Sequence, residues 1–332
     1  SGAVKSIAFR GNDNRFFSTG SDGKIYQWQL QDNTQPPVLI AGSNAQHPNR
    51  ELKVSPDKKW LLSTSDSSTM QLYNLQNLAA APVIITGHRG FVRDAEFLPN
   101  NAGIISVGAD GTLVMYDFKR SRVMPQMNYP VNRFAIDPQS KYIYAGTKDG
   151  KLVRISIADM SKQELLLETG AANRINALTI SADGRYLAMG GDDKYVILYD
   201  LANERVVDEL YGHEARVNDL AFSHNGKRLA SASWDHTVQM WNLENLDDIP
   251  YYFVDNGNSF VWDLAFSPGD DYLVVGTKDG KIKKWAVDNA TMAGDICGHV
   301  TRNMTKDEWA RYVSDEVEYE YTCENLLNKD NS

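Results

Sequence analysis

The chain has 332 residues, 42% of them hydrophobic, and a formal charge of −9. That is ample for a sizeable core, and the acidic balance implies no large basic surface, so nucleic acid is a poor default partner. No run of about 18 apolar residues occurs, so no membrane-spanning helix is expected.

Sixteen Tyr, eleven Phe, seven Trp and twenty-four Gly favour β structure with many turns. Length alone suggests about two domains, but closed all-β folds often use such a length for one. The opening SGAVKSIAF enters a strand at once. It reads as the start of a mature domain or of an excised fragment, with any leader or upstream domain lost. The expected compartment is the cytoplasm, with periplasm or export left open. Cys297 and Cys323 both lie in the last forty residues. They fit reduced thiols or one late bridge, and their number does not decide the compartment.

Taken in chain order, one pattern recurs: GSDGKIYQW, SDSSTMQLY, GADGTLVMY, GTKDGKLVRI, GGDDKYVILY, SASWDHTVQMW and GTKDGKIKKW. In six copies an Asp stands six residues before an aromatic or apolar strand residue. The pairs are Asp22/Trp28, Asp110/Tyr116, Asp149/Ile155, Asp193/Tyr199, Asp235/Trp241 and Asp279/Trp285; Ser67 takes the place of Asp before Tyr73. Successive copies are 45, 43, 39, 44, 42 and 44 residues apart. Such a period marks a repeat architecture. Short strands broken by SPDK, SADG, SHNG and SPGD argue for four-stranded antiparallel units. One unit cannot bury both its faces. Seven arranged radially can, and closure protects their edges.

The sixth copy packs Ser231, Asp235 and the nearby His213 into a set that a search for a nucleophile would stop at. Ser231 lies inside a regular strand, not on a strained elbow, and repeated Asp residues have a sufficient duty in accepting turn N–H groups. The structural reading is therefore preferred.

GHEARVNDLAFSHNGKRLASASWDHTVQMWNL (212–243) and GHRGFVRDAEFLPNNAGIISVGADGTLVMYDF (87–118) resemble the WD40-repeat family. The resemblance covers residues 1 to about 296. It implies an all-β, seven-bladed β-propeller of four-stranded antiparallel blades. It also implies a structural hydrogen-bonded set of His213, Ser231, Asp235 and Trp241, with His88, Ser106 and Asp110 in the third blade, where Tyr116 replaces Trp. Elsewhere the GH pair is missing and a partial network is expected. The family is mostly a recognition scaffold, so the resemblance carries fold further than function.

The expected outer strands are PVLIAG, PVIITG, VMPQMN, QELLLE, RVVDEL and YYFVD, with MAGDIC (292–297) for the last blade unless residues before Ser1 supply one. With no spare N-terminal strand in this sequence, closure is expected through blade-to-blade packing and the C-terminal tail. The domain boundaries expected are 1–297 for the propeller and 298–332 for an extension with a short helix packed on it. Thr305 and Glu308 read as a capping box for a helix from Lys306 to about Val313, with Trp309, Tyr312 and Val313 on its buried face.

The tail resembles those that follow WD40 domains in large bacterial multidomain proteins. Cys297, Arg302-Asn303-Met304-Thr305, Glu308-Trp309, Tyr312 and Thr322-Cys323 carry that likeness. It implies a bacterial source and a chain once longer. A disulfide or close contact between Cys297 and Cys323 fits it. Two cysteines make a poor zinc site, even with His299. Asn303-Met304-Thr305 has only the form of a glycosylation acceptor.

Function is then sought on the ring surface. The register places Lys5, Arg50, Arg93, Asn132, Asn176, Asn218 and Trp262 at the entrance of the inner strands. Before each repeat Asp come Ser21, Asp66, Ala109, Lys148, Asp192, Trp234 and Lys278. Trp234, Phe260 and Trp262 are expected close together, with His236 a weaker candidate beside them. Lys5, Arg50, Arg93, Lys148 and Lys278 put positive charge around the mouth. Aromatic and Arg anchors suit a protein or peptide partner, and the basic mouth an acidic or phosphorylated one. Other domains of a longer chain are a further candidate partner.

The competing class is a propeller enzyme or small-ligand binder using the channel. It needs converging carboxylates, His or metal ligands. His47, His88, His213, His224, His236 and His299 are scattered or already explained. Asp94, Asp219 and Asp263 recur at equivalent strand positions, which is an architectural pattern. No HExxH, P-loop or GxSxG is present, so neither catalytic group, metal nor cofactor is expected.

Overall fold

The computed structural model describes residues 2–11, 13–31, 35–42, 48–119, 122–123, 127–128, 130–170, 173–254, 259–300, 302–312, 318–319 and 323. Seven antiparallel sheets follow one another along the chain. Blade one holds β1 (Val4–Phe9), β2 (Arg15–Gly20), β3 (Lys24–Gln29) and β4 (Val38–Gly42), paired in that order. Blade two holds β5 (Asn49–Val54), β6 (Trp60–Ser65), β7 (Thr69–Asn74) and β8 (Val83–Thr86). Blade three holds β9 (Val92–Phe97), β10 (Gly103–Gly108) and β11 (Thr112–Asp117). Its outer strand is split into β12 (Arg122–Val123) and β13 (Met127–Asn128), both on β11. In place of the single strand expected from VMPQMN there are two short strands.

Blade four holds β14 (Val131–Ile136), β15 (Tyr142–Thr147), β16 (Lys151–Ser156) and β17 (Gln163–Glu168). Blade five holds β18 (Ile175–Ile180), β19 (Tyr186–Gly191), β20 (Val196–Asp200) and β21 (Arg205–Leu210). Blade six holds β22 (Val217–Phe222), β23 (Arg228–Ser233), β24 (Thr237–Asn242) and β25 (Tyr251–Val254). Blade seven holds, among the described residues, β26 (Val261–Phe266), β27 (Tyr272–Thr277) and β28 (Ile282–Ala286).

The outer strand expected from MAGDIC is instead part of a helix, α1 (Asn289–His299). Asp288 explains the switch. Its carboxylate accepts the N–H and the hydroxyl of Thr291, each at 2.8 Å, which caps the helix before a strand can form. The Tyr272 hydroxyl donates to Asp295 of α1 at 3.0 Å, fastening the helix beside blade seven.

The core lies between blades rather than within them. Val107 and Leu113 of blade three pack with Val131, Phe134 and Ile143 of blade four. Val4, Ile7 and Phe16 of blade one pack with Val274 of blade seven. Second strands are therefore buried on both faces, as in GIISVG of β10, while outer strands expose Val38, Leu39, Val83 and Ile84. Ring closure is partly polar. Asp263 of β26 accepts the N–H of Ile7 at 2.6 Å.

The second helix, α2 (Lys306–Tyr312), starts where the capping box places it. Glu308 accepts the Thr305 N–H at 2.9 Å, and the Thr305 hydroxyl accepts the Glu308 N–H at 3.2 Å. Trp309 is half-buried and meets Tyr319 edge-on at 5.7 Å. The side chain of Tyr312, and Val313 and Thr322 entirely, lie outside the described residues, as does His47. A disulfide joins Cys297 to Cys323. Buried Asn303 braces it, donating to the Cys323 carbonyl at 3.0 Å and accepting the Cys323 N–H at 2.8 Å.

Candidate interaction face

The repeat residues form a hydrogen-bonded strut at each hairpin. In blade six His213 Nε2 meets Ser231 Oγ at 2.8 Å and Nδ1 meets Asp235 at 2.9 Å. Trp241 Nε1 donates to Ser231 Oγ at 3.3 Å. Asp235 also accepts the N–H groups of Glu214 and Thr237 and the Thr237 hydroxyl. Burial pushes the Asp235 carboxyl up, but the hydrogen bonds from His213 and Thr237, with the His213 charge and the Glu214 N–H, hold it well below the usual carboxylate range. Ser231 is fully buried, and its Oγ is shared between imidazole and indole. No substrate reaches it.

Blade three repeats the set with His88, Ser106 and Asp110, where Thr112 lies between His88 and Asp110. Other blades substitute. Asn173 takes the histidine's place in blade five and accepts the Asp193 N–H at 3.2 Å, while Ser259 accepts the Asp279 N–H at 3.0 Å in blade seven. In blade one Trp28 donates to Ser18 at 2.7 Å.

The family comparison rests on this same pattern. The WD domain, G-beta repeat family matches residues 1–29, 82–117, 163–200, 204–242 and 251–286, more than half of the chain. The chain belongs to the WD40 family. It is 31% identical to the Periodic tryptophan protein 2 homolog of Neurospora crassa over 37% of this chain and 14% of that one. It is 27% identical to Periodic tryptophan protein 2 of Arabidopsis thaliana over 70% of this chain and 21% of that one. With the Target of rapamycin complex subunit LST8 of Saccharomyces cerevisiae the identity is 26%, over 69% of this chain and 77% of the relative. The chain thus spans only about a fifth or less of the first two relatives.

At the entrance of the WD40 ring the structure brings together the aromatic residues that register placed there. Trp234 stacks on Phe260 with ring centres 5.0 Å apart, and meets Trp262 edge-on at 5.8 Å. Trp234 is half-buried, leaning across to blade seven. His236 stacks on the same Phe260 at 4.9 Å. Its φ of 73° lies in the left-handed region, where the equivalent turns of four other blades use Gly23, Gly111, Gly150 and Gly280. Arg216 lies over the Trp234 ring at 3.1 Å and Lys278 over Phe260 at 4.7 Å. The ring nitrogens Trp234 Nε1, Trp262 Nε1 and His236 Nδ1 are buried without a hydrogen-bond partner.

The cationic residues gather on the other side of the mouth. Arg50 and Arg93 both lie over the Phe91 ring, at 4.3 and 5.0 Å, and Arg50 pairs with Asp66. Lys5 is lowered from its ordinary value by burial, with the Asp66 charge opposing and that of Arg50 adding. Lys148 is lowered by burial and by Arg93 and Arg174. Phe91, Arg174 and Arg216 were missed from sequence. Each stands one residue before an inner strand, the same register as Phe260, so counting back two further positions would have found them.

Below the mouth, Asp94, Asp219 and Asp263 do repeat one task. They accept the N–H groups of Phe134, Leu264 and Ile7, each on the next blade, at 3.3, 2.8 and 2.6 Å. Around them lie Glu51, Lys53, Glu96 and Arg133, which sequence reasoning did not single out. Burial, with the neighbouring Asp94 charge, raises Glu51 to about 8. Burial raises Glu96 to about 7, against the Lys53 charge. Among the described residues no group of three or more His, Cys, Asp or Glu is arranged to hold a metal ion. No helix among them is long and apolar enough to cross a membrane.

Proposed function

We propose that this WD40 propeller is a non-enzymatic protein-interaction module that docks a protein or peptide segment on its entrance face, with Trp234 as the central anchor. The observation that carries the reading is the Trp234–Phe260–Trp262 cluster. It is a packed aromatic patch with cations over two of its rings. The tail's likeness to those after WD40 domains in bacterial multidomain proteins supports a role as the recognition or regulatory arm of a larger bacterial chain. Under that reading the occupant is another domain of the same chain or a separate partner. The test is affinity capture with the wild-type domain and with Trp234→Ala. Selective loss of one bound species supports the reading; equal recovery of every species retires Trp234 as the anchor.

A second reading, small-ligand binding in the channel, is favoured by a cavity of about 390 Å³ lined by Phe9, Lys53, Asp219, Phe222, Asp263 and Phe266, among others. A ligand-induced thermal shift abolished by Lys53→Ala and retained by Trp234→Ala would support it.

A further inference from the structure

The cations of the mouth are not balanced alike. Arg50 has Asp66, and Arg216 lies 4.0 Å from Asp192. Arg133, deeper in the channel, is raised despite burial by the charges of Glu51, Asp94, Asp219 and Asp263. Among the described residues no ion pair engages Arg93, Lys148 or Arg174. These three come from the entrances of consecutive blades, and the backbone fixes their places. The Lys148 N–H donates to the Pro130 carbonyl at 3.0 Å, and the Arg174 carbonyl accepts the Asp192 N–H at 3.2 Å.

Arg93 is held in place by two contacts of its own. Its Nη1 donates to Asn132 Oδ1 at 3.5 Å, and its guanidinium lies over Phe91. Asn132 is itself committed to the next blade, donating to the Ile175 carbonyl at 2.8 Å. Arg93 Nε is buried and has no hydrogen-bond partner. Burial and the charges of Arg133, Arg50 and Arg174 all disfavour the charged form of Arg93. Three cations with no ion pair among the described residues, at the entrances of consecutive blades, make a site that an oxyanion relieves. A carboxylate would leave two of the three charges unmatched, whereas a dianion leaves one.

We propose that Arg93, Lys148 and Arg174 form a pocket for a dianionic phosphate monoester, borne on a side chain of the segment that docks on the entrance face. This rests on the reading of that face as the docking surface. Arg93 supplies the fork, Lys148 and Arg174 the flanking charge, and the aromatic cluster across the mouth holds the rest of the segment.

The test is a calorimetric titration of the whole chain with N-acetyl-phosphoserine amide, inorganic phosphate and N-acetyl-glutamate amide. The same titrations are run on Arg93→Ala, Arg93→Lys, Lys148→Ala and, as a control away from the mouth, Lys227→Ala. The phosphoserine derivative is expected to bind at least tenfold more tightly than the glutamate derivative and than free phosphate. Arg93→Ala and Lys148→Ala should each weaken it at least tenfold, Arg93→Lys less, and Lys227→Ala not at all. Far-ultraviolet circular dichroism and the melting temperature check that each variant is folded, and Arg93→Lys keeps the test open should Arg93→Ala fail to fold.

Equal binding of the glutamate derivative, no saturable binding at millimolar concentration, or indifference to Arg93→Lys and Lys148→Ala would overturn the pocket. Binding of inorganic phosphate as tight as the monoester would overturn the partner-borne phosphate. Trp234→Ala separates the two ideas. It should leave phosphoserine binding unchanged, so a failure of the aromatic anchor and a failure of the phosphate pocket give different results.

Discussion

The carboxylate of Asp263 on the last blade accepts the backbone N–H of Ile7 on the first, at 2.6 Å, so that a side chain spans the place where the ring closes. Removing it leaves a part-buried N–H without an acceptor, which costs about 1–3 kcal/mol. Asp263→Ala should lower the urea midpoint accordingly without changing the blade count seen by solution scattering. Because Asp263 is also crowded by the charges of Asp219 and Glu51, Asp263→Asn should cost less than Asp263→Ala. A larger loss for Asn would contradict this account.

The channel carboxyls make stability depend on pH in the direction opposite to an ordinary salt-bridged acid. Burial lifts Glu51 to about 8 and Glu96 to about 7 in the folded state, and burial, against the Leu264 N–H, lifts Asp219 to about 6. Each is raised above its unfolded value, so the folded chain binds protons more tightly. Their contribution is complete below about pH 4 and is lost as pH rises through these values. Unfolding free energy should therefore fall between pH 5 and 8, and Glu51→Gln should flatten that slope. A slope of the reverse sign in the wild type that Glu51→Gln leaves untouched would count against it.

Asp235 behaves in the opposite way. Asp235→Ala strands the Glu214 and Thr237 N–H groups and leaves His213 Nδ1 only the Thr237 hydroxyl at 3.2 Å, and a loss of about 1–3 kcal/mol is expected from groups of that kind. Asn173 in blade five makes a smaller network, so Asn173→Ala should cost less. Chemical denaturation of both variants tests the ranking.

Trp234→Ala should weaken a captured partner by at least about 2 kcal/mol, roughly 30-fold, if it is the central anchor. His236→Gly offers a second reading of the same patch. It relieves the left-handed backbone but removes the ring stacked on Phe260, so stability should rise or hold while partner affinity falls. Surface plasmon resonance and thermal melting on the two variants separate those effects.

Reduction of the Cys297–Cys323 bridge opens a 26-residue loop, and a bridge of that span contributes about 3 kcal/mol to the segment it closes. Limited proteolysis after reduction should cut near Lys306 and Arg311 first, while the propeller fragment survives. Simultaneous loss of both would show that the tail and ring unfold together.

The propeller was legible in sequence because each hairpin repeats one chemical device. Asp235 and its relatives mark the turns, and Trp241, Tyr199 or Ile155 the strand beyond. The last outer strand was misread because MAGDIC was judged by its place in the repeat, while Asp288, three residues before Thr291, carried the helix cap. The channel charges escaped for another reason. Glu51, Lys53 and Glu96 alternate with Leu52 and Ala95 as solvent-facing residues do, and only closure of the ring turns that face inward. Buried Asn303 illustrates the same limit. Its tripeptide has the form of a modification site, yet its amide is spent on Cys323.

The side-chain ties between blades also make the ring uneven under load. Ser6, Asp94, Asp219 and Asp263 each tie their blade to the next through a backbone N–H. At the same register blade five carries Ala177, whose side chain has no polar atom, and among the described residues that boundary rests on the packing of Ala177, Ala188, Val196 and Leu210 with Val217, Leu220, Leu229 and Trp241 and on one long Arg216–Asp192 pair. A ring stretched by a tethered neighbour would part first between blades five and six, on the side of the mouth next to Trp234, and the stitched junction where chain start meets chain end would yield later.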